Sequence, residues 1–317
     1  MNEELCDLIE ELNRERIELL NSPQYTWGRR VLNVKAAVKQ FKLHKLIALW
    51  VKGAINNKKI HCEHKQSDYH YGAYPDRNLK FCVYTCVTGG YDNLQPVHCH
   101  PSNVDFITFT DNMDIEANGW EVKSLPENVK AIEGNLDRNR YMKMHPAIVG
   151  DYDYAIYVDG VVEIFSDLTN MINAMNPVYG LAIHTHPDKD CTYNEVEWCK
   201  QNHRGNIDRM DGMLKDYNKE GLPKHYGLME CSVILSDLHN EKGLKILDEW
   251  WKEHVKRGTG RDQMTLPYIL WRNGITVDEI GTLGNDVKSN PKFRLHAHSK
   301  YPSINSFLDL PQYRTNK

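Results

Sequence analysis

The stretch YDYAIYVDGVVEI, residues 152–164, places one acid, Asp159, at the end of an apolar run and follows it with Gly160. A short apolar run that ends at a turn residue is typical of a buried strand. Similar runs recur along the chain: LKFCVYTCV (79–87), VDFITFTD (104–111), WEVKSL (120–125), YGLAIHTH (179–186), YGLMECSVILSD (226–237) and KFRLHAHS (292–299). We therefore predict a sheet in which residues 152–159 form one strand.

Segments with helical character separate these strands: LDRNRYMKMHPAIV (136–149), FSDLTNMINAM (165–175), EKGLKILDEWWKEHVKRG (241–258) and RDQMTLPYILWRNG (261–274). Strands that alternate with helices predict an α/β fold, with a mostly parallel central sheet and helices on both faces. In such sheets, ligands bind beyond the carboxyl ends of the strands. Three strands end there in polar sequence, namely TGGYD, TD and VDG.

The composition is that of a soluble globular protein, with 41% hydrophobic and 26% charged residues. No run approaches the ~20 apolar residues of a membrane-spanning helix, and the acidic start of the chain is not a secretory signal. Charge is uneven: residues 1–22 carry seven acids and two arginines, whereas residues 23–60 carry nine Lys/Arg and no acid. The remainder is net acidic, which disfavours nucleic-acid binding because no basic surplus is left for a phosphate backbone.

The N-terminal segment predicts a helix over residues 3–21, in which Leu5, Leu8, Leu12 and Leu19 follow 3- and 4-residue steps, with Glu15 breaking the seam. Two interpretations stay open: a short coiled-coil homodimer through residues 1–22, or an amphipathic helix docked on its own domain. A second, basic helix is predicted over residues 31–52. It suits peripheral contact with an anionic membrane through residues 23–60, or an ordinary covering helix with solvated lysines.

These features predict four parts: a helical N-terminal extension (1–60), a linker (61–78), the α/β domain (79–300) and a tail (301–317). The eight cysteines show no framework spacing, which is typical of free thiols in a reducing compartment. We therefore expect a cytoplasmic location, at the membrane surface if the basic helix binds lipid.

Several unlinked motifs occur in a fixed order: VYTCVTGGYDNL, VDFITFTD, R-x-x-K in NRYMKMHP, DYDYAIYVDG, HTHPDKDCTYNEVEWC, YGLMECSVIL and WWKEHVKRGTGRDQ. Over roughly residues 80–275 the chain resembles the glycosyltransferase-like domain family typified by plant mucilage-related and turgor-regulation-defect proteins. That family resembles retaining, glycogenin-type glycosyltransferases of the GT-A fold. The resemblance implies a GT-A-like fold and sugar transfer from a nucleotide-sugar donor, UDP-linked, to a polysaccharide, lipid-linked glycan or glycoprotein.

The resemblance gives Asp159 a role at the donor diphosphate. GT-A enzymes place a D-x-D motif after a buried strand, and its carboxylates hold Mg²⁺ or Mn²⁺ on the diphosphate. Here Asp159 is followed by Gly160 and Val161, so the second acid is absent. Two alternatives follow: Asp159 binds Mn²⁺ or Mg²⁺ together with His296 or His298, or the site works without metal. Gly160 is expected to let the backbone approach a ligand closely.

Arg140 and Lys143 are three residues apart and share one face of the predicted helix. Both residues match the family motif, and Arg and Lys side chains are well suited to binding phosphate groups. They are predicted to contact the diphosphate in the metal-free alternative, whereas a solvated basic face is the structural alternative.

The turn after the first strand supplies Gly89 and Gly90 for close approach and Tyr91 for stacking or ribose contact. Asp111, at the end of the second strand, is predicted at the same rim, where its carboxylate accepts hydrogen bonds from uracil or ribose. A Gly-Gly turn alone is weak evidence, but its position after the first strand of an α/β sheet favours donor binding.

The polar segment after residue 185 is predicted to recognise sugar hydroxyls. The positions that match the family pattern are His186, Asp190, Tyr193 and Glu195. A capping box formed by Thr192 and Glu195 explains part of this segment without any function.

Three further residues are predicted to act at the reacting centre. Glu230 is an acid inside an apolar strand, where it can stabilise positive charge at the anomeric carbon unless it is a solvated edge residue. Asp262 and Gln263 resemble the Asp-Gln pair of glycogenin-like transferases, which contacts the donor sugar. A helix-start charge is the structural alternative for Asp262.

Two other functions compete with sugar transfer. A catalytically silent module that binds a nucleotide-sugar or glycan is supported by the missing acid at position 161. A nucleotidyltransferase needs a basic residue in the Gly-rich loop after the first strand, and TGGYDN has none.

Overall fold

The computed structural model describes residues 3–39, residue 47 and residues 69–298. The strands of this part of the chain are β1 (Phe81–Val87), β2 (Val104–Thr110), β3 (Glu121–Ser124), β4 (Tyr154–Val158), β5 (Val162–Ile164), β6 (Leu181–Thr185), β7 (Met229–Asp237) and β8 (Phe293–Leu295). The helices are α1 (Glu3–Asn21), α2 (Pro23–Lys39), α3 (Glu127–Lys130), α4 (Asn135–Met144), α5 (Thr192–Gln201), α6 (Ile207–Glu220), α7 (Glu241–Arg257) and α8 (Leu266–Arg272).

Six strands form the central sheet in the order β3-β2-β1-β4-β7-β6. β7 is antiparallel to both of its neighbours, and the other pairs are parallel, so the predicted mostly parallel α/β sheet is confirmed. Because β7 runs the other way, its start lies beside the carboxyl end of β4. The backbone N–H of Asp159 accordingly donates to the carbonyl of Ser232 at 2.8 Å.

A second, two-stranded sheet pairs β5 with β8 in antiparallel register. The pairing of Val162 with Leu295 brings the C-terminal segment to the residues that directly follow Asp159. The N–H of His296 then donates to the carbonyl of Val161 at 2.9 Å.

The two faces of the central sheet are covered differently. On one face, Tyr84, Tyr157 and Trp250 belong to a buried cluster that includes residues of α3 to α8. On the other face, the cover is the small sheet, the 3-10 helix Thr169–Ala174 and nearby loops rather than the long helices that we predicted. No helix in the described residues is both long and apolar enough to cross a membrane.

Two helices differ from the prediction. The second helix begins at Pro23, not at residue 31, because proline is tolerated at the first position of a helix; residues 40–52 of the predicted helix lie outside the described residues, apart from Ile47. Helix α6 was not predicted, although its buried Met210, Met213 and Tyr217 follow helical spacing.

Helix α1 lies on its own domain, as in the second of the two interpretations. Its Asn13 side chain is buried and donates to the carbonyls of Pro291 and Phe293 at 2.6 and 3.2 Å. One turn earlier, Glu10 forms a 2.9 Å ion pair with Lys292, which is fully buried. These contacts attach α1 to the residues just before and at the start of strand β8.

A disulfide between Cys6 of α1 and Cys99 adds a covalent link. The prediction that the cysteines are free thiols was therefore wrong for this pair, because the fold brings together two residues that are 93 positions apart. The cysteines described as free and buried are Cys82, Cys86, Cys191, Cys199 and Cys231; Cys62 lies outside the described residues. Disulfides are rare in the cytosol, and the cytoplasmic location stays a prediction.

Residues 69–78, the described part of the predicted linker, lie against the domain. Tyr69 and Tyr71 are buried, and the hydroxyl of Tyr71 donates to the carbonyl of Leu283 at 2.7 Å. The proposed domain boundaries stay a prediction, but the α/β unit includes contacts that begin before residue 79.

We predict that the Cys6→Ser/Cys99→Ser variant unfolds at lower urea concentration. Loss of a cross-link over 93 residues enlarges the conformational freedom of the unfolded chain, and typical losses are about 2–4 kcal/mol. Urea unfolding followed by circular dichroism, with and without dithiothreitol, measures this loss. Reductant should destabilise the wild type and leave the variant unchanged; equal stabilities without reductant would show that the link does not form.

Candidate active site

The candidate site lies where β4 ends and β7 begins. Asp159 follows β4 directly, and Glu230 lies in the first residues of β7. Helix α4 contributes side chains from the helical face of the sheet, and the 3-10 turn Asp262–Met264 reaches the same place from α7. Four elements distant in sequence therefore meet at one edge of the sheet, as the strand-end prediction required.

A group of four charged side chains is the centre of this site. The Lys143 ammonium lies 2.9 Å from Asp262 Oδ2 and 3.2 Å from Asp159 Oδ1, so it joins two carboxylates. Arg140 Nε lies 3.1 Å from Asp262 Oδ1, without hydrogen-bond geometry. The side chains of Lys143 and Asp262 are only 2% and 7% exposed, whereas Asp159 keeps 24% exposure. Asp159 is thus the carboxylate that a ligand in solution reaches.

The pKa values of Asp262 and Arg140 are shifted by their charged neighbours. Burial alone would raise the pKa of Asp262, but Arg140 and Lys143 lower it well below its usual range. Burial alone would lower the pKa of Arg140, but Asp262 and Asp159 raise it above its usual value. The structural alternative of a solvated basic face on α4 is excluded, since neither cation is exposed.

The elements around Asp262 fix its backbone. Trp250 of α7 is fully buried, and its indole N–H donates to the carbonyl of Asp262 at 2.9 Å. Thr265 Oγ1 donates to the same carbonyl at 2.8 Å. Asp262 is therefore a buried, positioned carboxylate and not simply a favourable charge at a helix start.

The Asp159 carboxylate has a second partner besides Lys143. The Tyr157 hydroxyl donates to its Oδ1 at 2.9 Å, and Asn139 Nδ2 donates to the Tyr157 oxygen at 3.1 Å. The Lys143 ammonium also lies 5.1 Å from the centre of the Tyr157 ring. Tyr157 was not predicted as a site residue, yet it lies two positions before Asp159 in the opening stretch, on the same side of β4.

Glu230 and Gln263 lie beside the charged group. The Ser232 hydroxyl donates to Glu230, and burial raises the pKa of this carboxyl above its usual value. Gln263 Nε2 donates to the carbonyl of Met229 at 2.7 Å, which leaves its amide oxygen as an acceptor. The structure therefore brings the three predicted catalytic residues, Asp262, Gln263 and Glu230, to the same strand end as Asp159.

The glycine turn after β1 is hydrogen-bonded to Asp111, the acid predicted to contact uracil or ribose. Gly89 has φ +65°, and its N–H donates to both carboxylate oxygens of Asp111 at 3.1 and 3.0 Å. A Cβ on Gly89 would come within 2.1 Å of the Asn135 amide, whereas one on Gly90 would meet open space. Tyr91 is 39% exposed and contacts the His298 ring edge-on. Gly89 and Asp111 therefore shape this loop, and Tyr91 presents an exposed aromatic ring beside it.

The absent second acid has a structural explanation. A Cβ on Gly160 would lie 2.7 Å from Val87 Cγ2, so Gly160 permits close approach of β1. Val161 is 5% exposed. A carboxylate at position 161 would consequently be buried, which costs free energy unless the charge is paired.

His186 follows β6 and closes a turn. Its Nδ1 accepts hydrogen bonds from the N–H groups of Asp188 and Lys189, both at 3.1 Å. Burial lowers the pKa of His186 to about 4, with Lys189 adding to the effect. The ring is thus neutral near pH 7, and its backbone N–H donates to Leu228 directly before β7.

A second buried ion-pair network adjoins the site and was missed from the sequence. Glu195 pairs with Lys189, and Arg261 Nη2 lies 3.4 Å from Glu195 Oε1. The predicted capping box was wrong: Cys191 is the N-cap of α5, and Thr192 is inside the helix. Because Arg261 directly precedes Asp262, Glu195 positions the Asp-Gln turn. The match of Glu195 to the family pattern was the sequence feature that could have indicated this network.

Each of the predicted metal ligands has a protein partner. His296 Nε2 lies 2.6 Å from Glu163, and His298 Nδ1 lies 3.0 Å from Asp92. Asp159 is bonded to Lys143 and Tyr157, and the described part of the chain contains no group of three or more His, Cys, Asp or Glu able to hold a metal ion. As arranged, these residues do not fit a bound Mn²⁺ or Mg²⁺.

The fold and the site together define a mixed α/β protein with a largely buried cluster of paired charges at its strand ends. A family model for the TOD1/MUCI70 glycosyltransferase-like domain matches residues 39–283. The chain therefore belongs to this family, in agreement with the resemblance of its motifs, and the family supports a glycosyltransferase.

Solved glycosyltransferase structures show a distant similarity. GlyE of Streptococcus pneumoniae in its apo form is 9% identical with a TM-score of 0.34, over 64% of this chain and 44% of that one. Apo mouse xyloside xylosyltransferase 1 is 10% identical with a TM-score of 0.37 (64% and 83% covered). The galactosyltransferase LgtC in complex with donor and acceptor sugar analogues is 14% identical with a TM-score of 0.35 (62% and 72% covered).

One curated protein matches a short segment. The Ras-related protein RABG3b of Arabidopsis thaliana is 35% identical over 49 residues, which is 16% of this chain and 24% of that protein. The chain thus spans about a quarter of that relative and less than half of GlyE.

We predict that Lys143→Met lowers the free energy of unfolding by about 3–5 kcal/mol, because it leaves buried carboxylates without their shared cation. Adding Asp262→Asn should recover part of this loss, since fewer unpaired charges remain. Urea unfolding of both single variants and the double variant gives the coupling energy. Lys252→Met, which removes an exposed ammonium of α7, is the matched control and should change stability little. Additive effects of the two site substitutions would contradict the shared-cation arrangement.

We predict a pH-dependent effect of Glu230→Gln. The pKa of Glu230 is raised in the folded state, so folding favours the neutral carboxyl. The contribution of this carboxyl to folding stability is therefore complete below pH 4.5 and is lost as pH rises through the folded pKa. The variant should therefore gain stability over the wild type from pH 4 to pH 7, as measured by urea unfolding. Glu133→Gln, at an exposed position, is the control, and its stability difference from the wild type should not change with pH. A stability difference for Glu230→Gln that does not change with pH would refute the buried neutral carboxyl.

Proposed function

We propose that the protein transfers a sugar from a UDP-sugar donor to a glycan, lipid-linked glycan or glycoprotein, with retention of configuration at the anomeric carbon. Family membership supports glycosyl transfer as the reaction class. The observation that carries the finer proposal is the shared ammonium of Lys143 between Asp159 and Asp262 at the strand ends.

The charged group supports binding of a diphosphate. Its two cations are already desolvated and held by buried carboxylates, so they would not have to be ordered when the donor binds. Of the two carboxylates, Asp159 is the more exposed, and Lys143 touches both. A diphosphate that approaches Asp159 would meet Lys143 and Arg140, which would take up negative charge as it develops on the leaving group.

The neighbouring polar groups support a role at the sugar. Burial raises the pKa of Glu230 and so favours its neutral form, which would donate a hydrogen bond to a sugar hydroxyl or to the leaving oxygen. The amide oxygen of Gln263 would accept one. In the transfer, the bond from the anomeric carbon to the diphosphate oxygen breaks, and a bond to the acceptor oxygen forms. The acceptor proton goes to the departing diphosphate, so that UDP is released.

A silent binding module is the second candidate, and the buried Val161 in place of a second acid is the observation that favours it. Such a module would bind a UDP-sugar through the same cations but would release no UDP. The two functions therefore differ in turnover and not in donor affinity.

We predict that Asp159→Ala reduces UDP release from the preferred UDP-sugar by about 100-fold or more, since it removes the carboxylate that positions Lys143 at the donor. The assay measures UDP from a panel of UDP-sugars and glycan acceptors, with EDTA and with Mn²⁺. Release should persist in EDTA, because the residues do not fit a metal.

Asp151→Ala, an exposed acid just before β4, is the matched control and should keep full activity. Donor binding by calorimetry without any UDP release would establish the silent module. Full activity of Asp159→Ala would overturn the proposed role of this carboxylate.

A further inference from the structure

The leucines of α1 lie on a face that the domain does not cover. The side chains that dock α1 are Cys6, Glu10 and Asn13, one to two turns apart on one side of the helix. The leucine seam, defined as Leu5, Leu8, Leu12 and Leu19, is 44%, 54%, 56% and 61% exposed. Leu5, Leu8 and Leu12 follow the steps of three and four residues of a coiled-coil seam, and Leu19 lies seven residues after Leu12, with Glu15 at the seam position between them. The leucine seam of α1 therefore stays uncovered when the helix packs on its own domain.

Helix α2 carries a second exposed apolar stripe. Trp27, Val31, Val34 and Val38 follow steps of four, three and four residues and lie on one face. Trp27, Val31 and Val38 are 63%, 50% and 55% exposed, and no described side chain of α2 is buried. A 17-residue helix without packing is marginal in water, because helical stability in proteins comes from a buried apolar face. The stripe therefore needs a covering surface.

The two stripes are flanked by opposite charges. Glu15, which lies within the leucine seam of α1 between Leu12 and Leu19, and Glu18, which directly precedes Leu19, are exposed. Arg30, three residues after Trp27, and Lys35, four after Val31, are exposed next to the stripe of α2. The same contrast holds for the segments as wholes, since residues 1–22 are acidic and residues 23–60 contain no acid.

We infer that a second copy of this chain covers both stripes: the leucine seam of each copy packs against the α2 stripe of the other. A two-fold axis makes the two contacts identical, as in isologous dimers. The helices match in length, since 19 and 17 residues span about 28 and 26 Å at a rise of 1.5 Å per residue. One partner thus accounts for the spacing, the exposure and the charges of both stripes.

An anionic lipid surface would explain fewer of these features than a second copy of the chain does. It would attract the basic α2 stripe, but it would repel the acidic α1 and leave the leucine seam in water. The dimer is therefore the interpretation that the charges favour, and lipid binding is one outcome of the test.

A charge exchange tests the pairing directly. One variant carries Glu15→Lys/Glu18→Lys, which makes the surroundings of both stripes basic, and the other carries Arg30→Glu/Lys35→Glu, which makes both acidic. Wild type should run at twice the chain mass of 36.9 kDa in size-exclusion chromatography with light scattering. Each variant alone should be a monomer at the same concentration, and an equimolar mixture of the two should recover the dimer mass.

Lys215→Glu/Lys219→Glu on α6 is the matched control, with the same charge change at exposed positions of another helix, and it should stay dimeric. Recovery on mixing shows that the variants are folded, because misfolded chains would not complement each other. A monomeric wild type overturns the inference, whether or not it floats with phosphatidylserine-containing vesicles. Dimers of the single variants, or no recovery on mixing, overturn it as well.

Discussion

The ammonium of Lys143, shared between Asp159 and Asp262, is the interaction on which the site depends. It joins the end of β4 to the turn after α7, and it does so from a helix that is packed on the sheet between them. A charge buried to this degree is tolerated only with compensating partners. The cation therefore links the positions of both carboxylates, and with Arg140 it supplies the positive charge at these strand ends.

The same region is connected to the chain termini by a second set of interactions. Helix α1 bonds to the residues before and within β8, and its Cys6 is bonded to Cys99. Strand β8 pairs with β5, directly after Asp159, and the segment beyond it brings His298 to Asp92 of the glycine loop. The N-terminal helix therefore supports the structure around the candidate site, and only its outer face is available for another partner.

Membership in the TOD1/MUCI70 glycosyltransferase-like family agrees with a site that lacks the second acid of a D-x-D motif. The physical reason for the missing acid lies in packing: a Cβ on Gly160 would come close to Val87, and Val161 is buried. Cations from α4 lie at Asp159 instead. Donor charge would then be neutralised by protein side chains, which are fixed by burial before the donor arrives.

The sequence by itself determined the strand-and-helix order, the parallel sheet and the set of polar residues at the strand ends, because apolar periodicity and strand-end chemistry are local properties. Asp159, Arg140, Lys143, Glu230 and Asp262 could be named in this way. Only the tertiary structure decided which of them touch. The reversal of β7 brought Glu230 to Asp159, the path after β8 took His296 and His298 to Glu163 and Asp92, and docking of α1 paired Cys6 with Cys99. These outcomes depend on contacts across 70 to 280 residues, which no local pattern encodes, since partners compete for the same side chain and the packed geometry selects between them.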